Sequence, residues 1–162
     1  MTQITITTDD RQIQAALAEA ANRLTDLTPV MASIGEYMVG RTRERFDSST
    51  APNGQKWAPL AKATIDAKRR RQKGGTSKNG RSIARTNANP EDILKDTFLL
   101  RDTIAYQPTA SSVAIGTPQK YGLHHQYGAP RRNIPARPFL GVNEEDVREI
   151  EAIVVDALQV LG

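Results

Sequence analysis

Residues 143–162 read NEEDVREIEAIVVDALQVLG. Val147, Ile150, Val154, Leu158 and Leu161 recur at intervals of three and four and so fall on one side of a helix. Asn143 stands three residues ahead of Asp146, the spacing at which two side chains cap each other's backbone N–H at a helix start. The stretch therefore predicts a long amphipathic C-terminal helix. Its acidic start at Glu144, Glu145 and Asp146 meets the positive end of the helix dipole. Upstream, the proline-rich run from Pro130 to Pro138 leads into Phe139-Leu140-Gly141-Val142, which reads as a strand.

The rest of the chain arranges itself around that helix. Thr2 to Thr8 alternates polar residues with Ile4 and Ile6, the period of a short strand with one buried face. Asp9 or Asp10 then caps an expected helix ending near Asp26, with Ile13, Leu17, Ala20, Ala21 and Leu24 on one face. Thr28-Pro29 is a second start signal, followed by a stripe of Met31, Ile34, Met38 and Thr42. Arg41, Arg43 and Arg45 close this helix, where cations favour the negative end of the dipole, so their expected role is structural. Pro52-Asn53-Gly54 and Pro59 mark an irregular turn, and Trp57 between them is expected to pin it to the core. Residues 62–72 are compatible with a helix through Ala63, Ile65 and Ala67. The run from Gly74 to Pro90, without apolar periodicity, predicts a long mobile loop. After the apolar stretch from Ile93 to Leu100, Thr103 to Gln107 and Ser112 to Thr117 read as a β-hairpin joined across Thr109-Ala110-Ser111. Tyr121 to Tyr127 reads as a helical turn or loop ending at Gly128. The expected fold is α+β: a single domain over residues 1–162, with a small antiparallel sheet packed against helices, a long C-terminal helix and a flexible basic insertion at about 68–92. Phe139, Leu140, Val147, Ile150, Val154 and Leu158 are its expected core, joined by Trp57.

Composition narrows the chemistry. The chain has no cysteine, which removes disulfides, thiolate metal sites and cysteine nucleophiles together. It has no signal-like N-terminus and no run of 18 apolar residues, so it is expected to be soluble and without a membrane partner. Its net charge of +4 is unevenly spread. Residues 1–40 carry five acids against two bases and residues 143–162 six against one, whereas Lys68 to Arg85 holds eight bases and no acid. Those bases, Lys68, Arg69, Arg70, Arg71, Lys73, Lys78, Arg81 and Arg85, are candidates for facing DNA or a protein partner. They can neutralise a phosphate backbone without reading its sequence, and no aromatic residue is interleaved to stack on bases. The competing reading is a solvated loop, or one that docks on an acidic surface such as the last helix of a neighbouring subunit.

Enzymatic signatures are missing. His124 and His125 are adjacent, and neighbouring side chains point in different directions on a helix or a strand, so they do not readily share a metal. A metal-dependent nuclease needs a general-base histidine and a separately placed metal shell, which one dipeptide does not supply. Phosphate-cradling glycine loops and the Gly-x-Ser-x-Gly elbow are absent from the sequence. No catalytic residue, cofactor or metal is expected.

Four segments together resemble the phage virion morphogenesis family, the tail completion proteins of Mu-like and related tailed phages. Phe46 to Leu60 is similar in its Pro52-Asn53-Gly54 turn, Trp57 and Pro59-Leu60; Leu94 to Ile104 in Leu100-Arg101-Asp102-Thr103-Ile104. Val113 to Gly128 contributes Ile115-Gly116-Thr117, Tyr121 and His125-Gln126-Tyr127-Gly128. The most specific is Ile134-Pro135-Ala136-Arg137-Pro138-Phe139-Leu140-Gly141, followed by the acid-capped helix. Thr103 stands where serine is common, and His124 where a small or apolar residue is usual. The resemblance implies a non-enzymatic structural protein of the virion, made in the host cytoplasm and placed at the head-proximal end of the tail. Its implied partners are the tail tube or tail terminator and neck or connector proteins. Related neck proteins form rings, so a ring of copies around the DNA channel is the expected assembly, with genomic DNA as a further partner. Within the motif, Pro135 and Pro138 stiffen the chain so that Arg137 can point in one direction, either towards a partner or into its own domain. Arg137, Phe139 and Trp57 are therefore candidate interface residues. A non-sequence-specific DNA-binding accessory protein of the virion is the alternative, and a metal-dependent nuclease a weaker one.

Overall fold

In the computed structural model, Thr28–Ser48 forms helix α1, which carries the rest of the fold. The structure describes residues 26–72 and 89–160, with 11, 15, 18, 75–76 and 82–83 as isolated positions. Pro29 sits in the first turn of α1, where its missing N–H costs nothing, but the expected Thr28 cap is not used. Asp26 Oδ1 instead accepts the Thr28 N–H at 2.8 Å. Met31, Ile34, Met38 and Thr42 are all buried, as their spacing requires. The helix runs past Arg45 and ends where Ser49 turns left-handed (φ 54°), with the N–H groups of Ser49 and Thr50 donating to the Arg45 carbonyl.

The loop after α1 folds back on itself through Thr50 and Lys56, and Trp57 Nε1 donates to the Pro138 carbonyl at 2.8 Å. Trp57 also meets Phe46 edge-on at 5.4 Å between ring centres, so this tryptophan pins the loop as expected. Helix α2 follows at Lys62–Gln72. Gly75–Thr76 (β1) and Ser82–Ile83 (β2) pair antiparallel within the stretch whose composition predicts no strand. Residues 74, 77–81 and 84–88 of the expected mobile loop, the expected Thr2–Thr8 strand and most of the expected first helix lie outside the described residues. Asn89 accepts the N–H groups of Glu91 and Asp92 in a turn, and Arg11, Ala15 and Ala18 are helical.

After the short helix α3 (Leu99–Asp102), Ala105–Pro108 (β3) and Val113–Gly116 (β4) form the expected hairpin, with Tyr106 opposite Ile115. It lies across α1. A Cβ on Gly35 would stand 2.4 Å from the Tyr106 ring, so only glycine allows that approach. Helix α4 spans Gly122–Tyr127, a 3-10 turn spans Pro130–Arg132, and α5 spans Glu144–Val160. The capping box at the start of α5 is reciprocal: Asp146 N–H donates to Asn143 Oδ1 at 2.8 Å and Asn143 N–H to Asp146 Oδ2 at 3.0 Å. Ile150 and Val154 are buried against α1, while Val147 and Leu158 are half-buried.

Phe139 to Val142 is not a strand. Phe139 and Leu140 are buried in extended coil, and side chains replace the ladder that a neighbouring strand would supply. Gln126 Oε1 accepts the N–H groups of both residues at 3.0 Å, and Gln126 Nε2 donates to the Leu140 carbonyl at 2.8 Å. Arg45 Nη1 donates to the carbonyls of Phe139 and Gly141, at 3.3 and 2.7 Å. Periodicity registers apolar side chains; it carries no trace of these donors and acceptors.

Candidate partner-binding cleft

Two irregular segments face each other across a cleft of about 580 Å³. One is Pro59-Leu60-Ala61 with the α2 that it leads into; the other is Asn133 to Arg137 beyond the 3-10 turn. The second segment is held rigidly. Ala129 and Ile134 bridge each other at 2.8 and 3.2 Å around a left-handed Asn133, and Arg137 N–H donates to the His125 carbonyl at 2.6 Å. Arg137 also ties the two sides together, with Nε donating to the Ala58 carbonyl at 2.8 Å and Nη2 to that of Pro59 at 2.9 Å.

The floor of the cleft is cationic. Arg137 and Lys68 are both buried, and burial pushes each below its ordinary pKa. Lys68 Nζ donates to the Asp92 carbonyl at 2.7 Å. His125 stands beside them without adding to that charge: burial, and then the charge of Arg137, lower its pKa, and its buried Nδ1 has no hydrogen-bond partner among the described residues. Leu60, Leu94, Ile134 and Pro135 make the walls apolar, and Arg71 at the edge pairs with Asp96 at 2.7 Å. Lys68, Arg71 and Arg137 outnumber the one lining carboxylate, Asp96, so the apolar slot suits a further carboxylate flanked by apolar side chains. Among the described residues no group of three or more His, Cys, Asp or Glu side chains is placed to hold a metal.

Several sequence candidates therefore stand elsewhere than expected. Lys68 points inward. Arg69 pairs with Glu91 at 3.2 Å with both side chains exposed, and Arg70 donates to the Asp66 carbonyl at 3.3 Å. Lys73, Lys78, Arg81 and Arg85 lie outside the described residues. Trp57, Phe139 and Arg137 are all buried in the subunit; Arg137 binds its own chain's carbonyls and at the same time lines the cleft. Sequence reading missed His125, Leu94 and Ile134 as partners in one cleft, because they are distant in the chain and no spacing links them.

The arginines of α1 are structural, but by ion pairing across the fold. Asp146 is fully buried and receives Arg45 Nη2 on Oδ2 and Arg41 Nε on Oδ1 at 2.9 Å. Tyr37 also donates its hydroxyl to Oδ1, at 3.3 Å, and burial next to this carboxylate pushes the phenol up to about 12. Arg43 is exposed. This node fixes the start of α5 against α1 and so sets the direction in which the coil from Arg137 to Asn143 runs.

The sequence pattern of the phage virion morphogenesis family matches residues 8–159. The chain belongs to that family. Mu-like prophage FluMu G protein 1 of Haemophilus influenzae is 30% identical over 115 residues, covering 67% of this chain and 64% of the relative, a little under two thirds of the relative's length. No solved structure matches. Family membership makes the protein a component of phage virion assembly, and its most specific motif, Ile134 to Gly141, has a structural reading here. Ile134, Pro135 and Arg137 build one side of the cleft, and Phe139 anchors that side to the core. Among the described residues no helix is long and apolar enough to cross a membrane.

Proposed function

We propose that the protein completes the phage tail and joins it to the head at the neck, without catalysis, as a ring of copies around the DNA channel. The family match over residues 8–159 carries this reading, and the rigid cleft supports it by offering a preformed docking surface. The proteins it would meet are the tail tube or tail terminator on one side and neck or connector proteins on the other. Electron microscopy of particles made without the protein tests the assignment. Unjoined heads and tails with abnormal tail ends are expected, and normal infectious particles would overturn it.

A second reading, contact with DNA in the channel, draws on the exposed guanidinium groups of Arg69 and Arg70 on α2. A phosphate contact depends mainly on charge, whereas a forked contact to a protein carboxylate depends on the guanidinium shape. Lysine at both positions should then preserve DNA retention and glutamine should lose it. Retention unchanged by glutamine would exclude these two residues from DNA binding.

A further inference from the structure

We propose, resting on the ring reading above, that neighbouring copies join head to tail, with the outer face of α5 of one copy seated on the cleft of the next. The two surfaces are complementary. The outer face of α5 presents Ala152 and Val155 with Arg148 on the same stripe and the acids Glu149 and Asp156 beside it, all exposed, while Ile150 and Val154 on the opposite face pack against α1. Val155 is 44% exposed, a large apolar side chain that its own domain leaves uncovered. Neither Glu149 nor Asp156 has an ion-pair partner among the described residues, so both remain available for a cation. The cleft has the opposite balance, an apolar slot over Lys68, His125 and Arg137 in which Asp96 is engaged by Arg71, with exposed Arg131 and Arg132 directly before its Asn133 side.

A carboxylate entering the cleft finds donors already fixed. Arg137 commits Nε and Nη2 to backbone carbonyls, which orients the group and leaves Nη1 without a hydrogen bond among the described residues. A duplex would leave the apolar walls of Leu60, Leu94, Ile134 and Pro135 uncovered, because its phosphate rail offers no apolar surface. Val155 and Ala152 do cover them. A reciprocal two-fold pair of these surfaces would close at two copies, whereas the same contact repeated from copy to copy is heterologous and builds the ring.

The absence of cysteine permits a direct test. Ala152→Cys on α5 and Thr64→Cys at the edge of the cleft are placed together in one chain, at exposed positions, and tails carrying that chain are oxidised mildly. A ladder of covalent multimers is expected from the double variant and none from either single variant. A dimer from Ala152→Cys alone would indicate a two-fold contact and overturn the proposal, as would a product of the double variant that stops at the dimer or a ladder that disappears on nuclease treatment. An amine-reactive cross-linker on wild-type tails separates the two levels. If it joins copies while the cysteine pair does not, the ring survives and this contact fails; if it joins none, the ring reading fails as well. Charge exchange gives an independent readout. Glu149→Arg with Asp156→Arg, or Arg131→Glu with Arg132→Glu, should each reduce copies per tail at least tenfold, and combining all four should restore them. Unchanged copy number in both charge-reversed variants would overturn the contact.

Discussion

Where α1 packs along α5 beyond the Asp146 node at its start, the buried cluster is apolar, from Leu27, Val30 and Met31 to Ile150 and Val154. Around Phe46, Trp57 and Phe139 the packing is also apolar, but Gln126, Arg45 and Arg137 run through it and bond to backbone. The difference follows from what each half is made of. Helices satisfy their own N–H and C=O groups, so burying them needs only an apolar face. The coil from Arg137 to Asn143 has no ladder, and each buried backbone group must find a partner elsewhere. Long polar side chains supply those partners, which makes this half rigid without regular structure.

That comparison can be broken by substitution, beginning at the node that joins the halves. Asp146→Ala strands the buried Arg45 guanidinium and removes the side-chain half of the capping box, while Arg41 keeps Glu44 and Glu145, so the loss should be roughly 3–5 kcal/mol. For a chain of this size that means Tm lower by roughly 10 °C. Next, Gln126→Leu keeps an apolar side chain in place but removes the partners of Phe139 N–H, Leu140 N–H and Leu140 C=O. Denaturant unfolding should show a loss of about 3 kcal/mol, since each unsatisfied buried group costs about 1–3 kcal/mol. A neutral result would mean that the coil does not depend on its side-chain partners. Ile150→Ala tests the helical half by cavity alone and should cost roughly 2–4 kcal/mol, with Ile150→Val costing only about 1 kcal/mol.

The smallest effect is in pH. The fold lowers the pKa of His125 from its ordinary 6.5, first by burial and then through Arg137. The unfolded chain therefore takes up this proton first, so stability is held above pH 6.5 and lost as the pH falls below it. His125→Gln should flatten the decline in Tm between pH 7 and pH 5. An identical slope in the variant would show that other groups cause the decline.

The two halves also differ in how far they could be read beforehand. Met31, Ile34, Met38, Ile150 and Val154 announce their burial by spacing, because helix period and apolar character are both properties of local sequence. The hairpin and the Asn143–Asp146 cap were legible for the same reason: each is made by residues close in the chain. The cleft was not. Lys68 looks like one more member of a basic run, yet it is buried because Asp92, 24 residues away, offers it a carbonyl. Phe139 to Val142 has the composition of a strand and forms none, since Gln126 and Arg45 take up its backbone groups. The Ile134 to Gly141 motif drew attention to a segment that lines the cleft, while the burial of Arg137 and Phe139 depends on Ala58, Pro59 and Phe46, which are distant in the chain.

The account rests on the cleft being the surface through which this protein acts in assembly. Thr64 is exposed at the edge of the cleft and lies among its lining residues, so Thr64→Trp fills the slot without entering the core. Purified wild-type protein and this variant would be added separately to heads and tails produced without the protein, and joined infectious particles counted. With the Tm of the two proteins equal, wild type should restore joining and Thr64→Trp should restore less than a tenth as much; equal restoration by both would contradict the account.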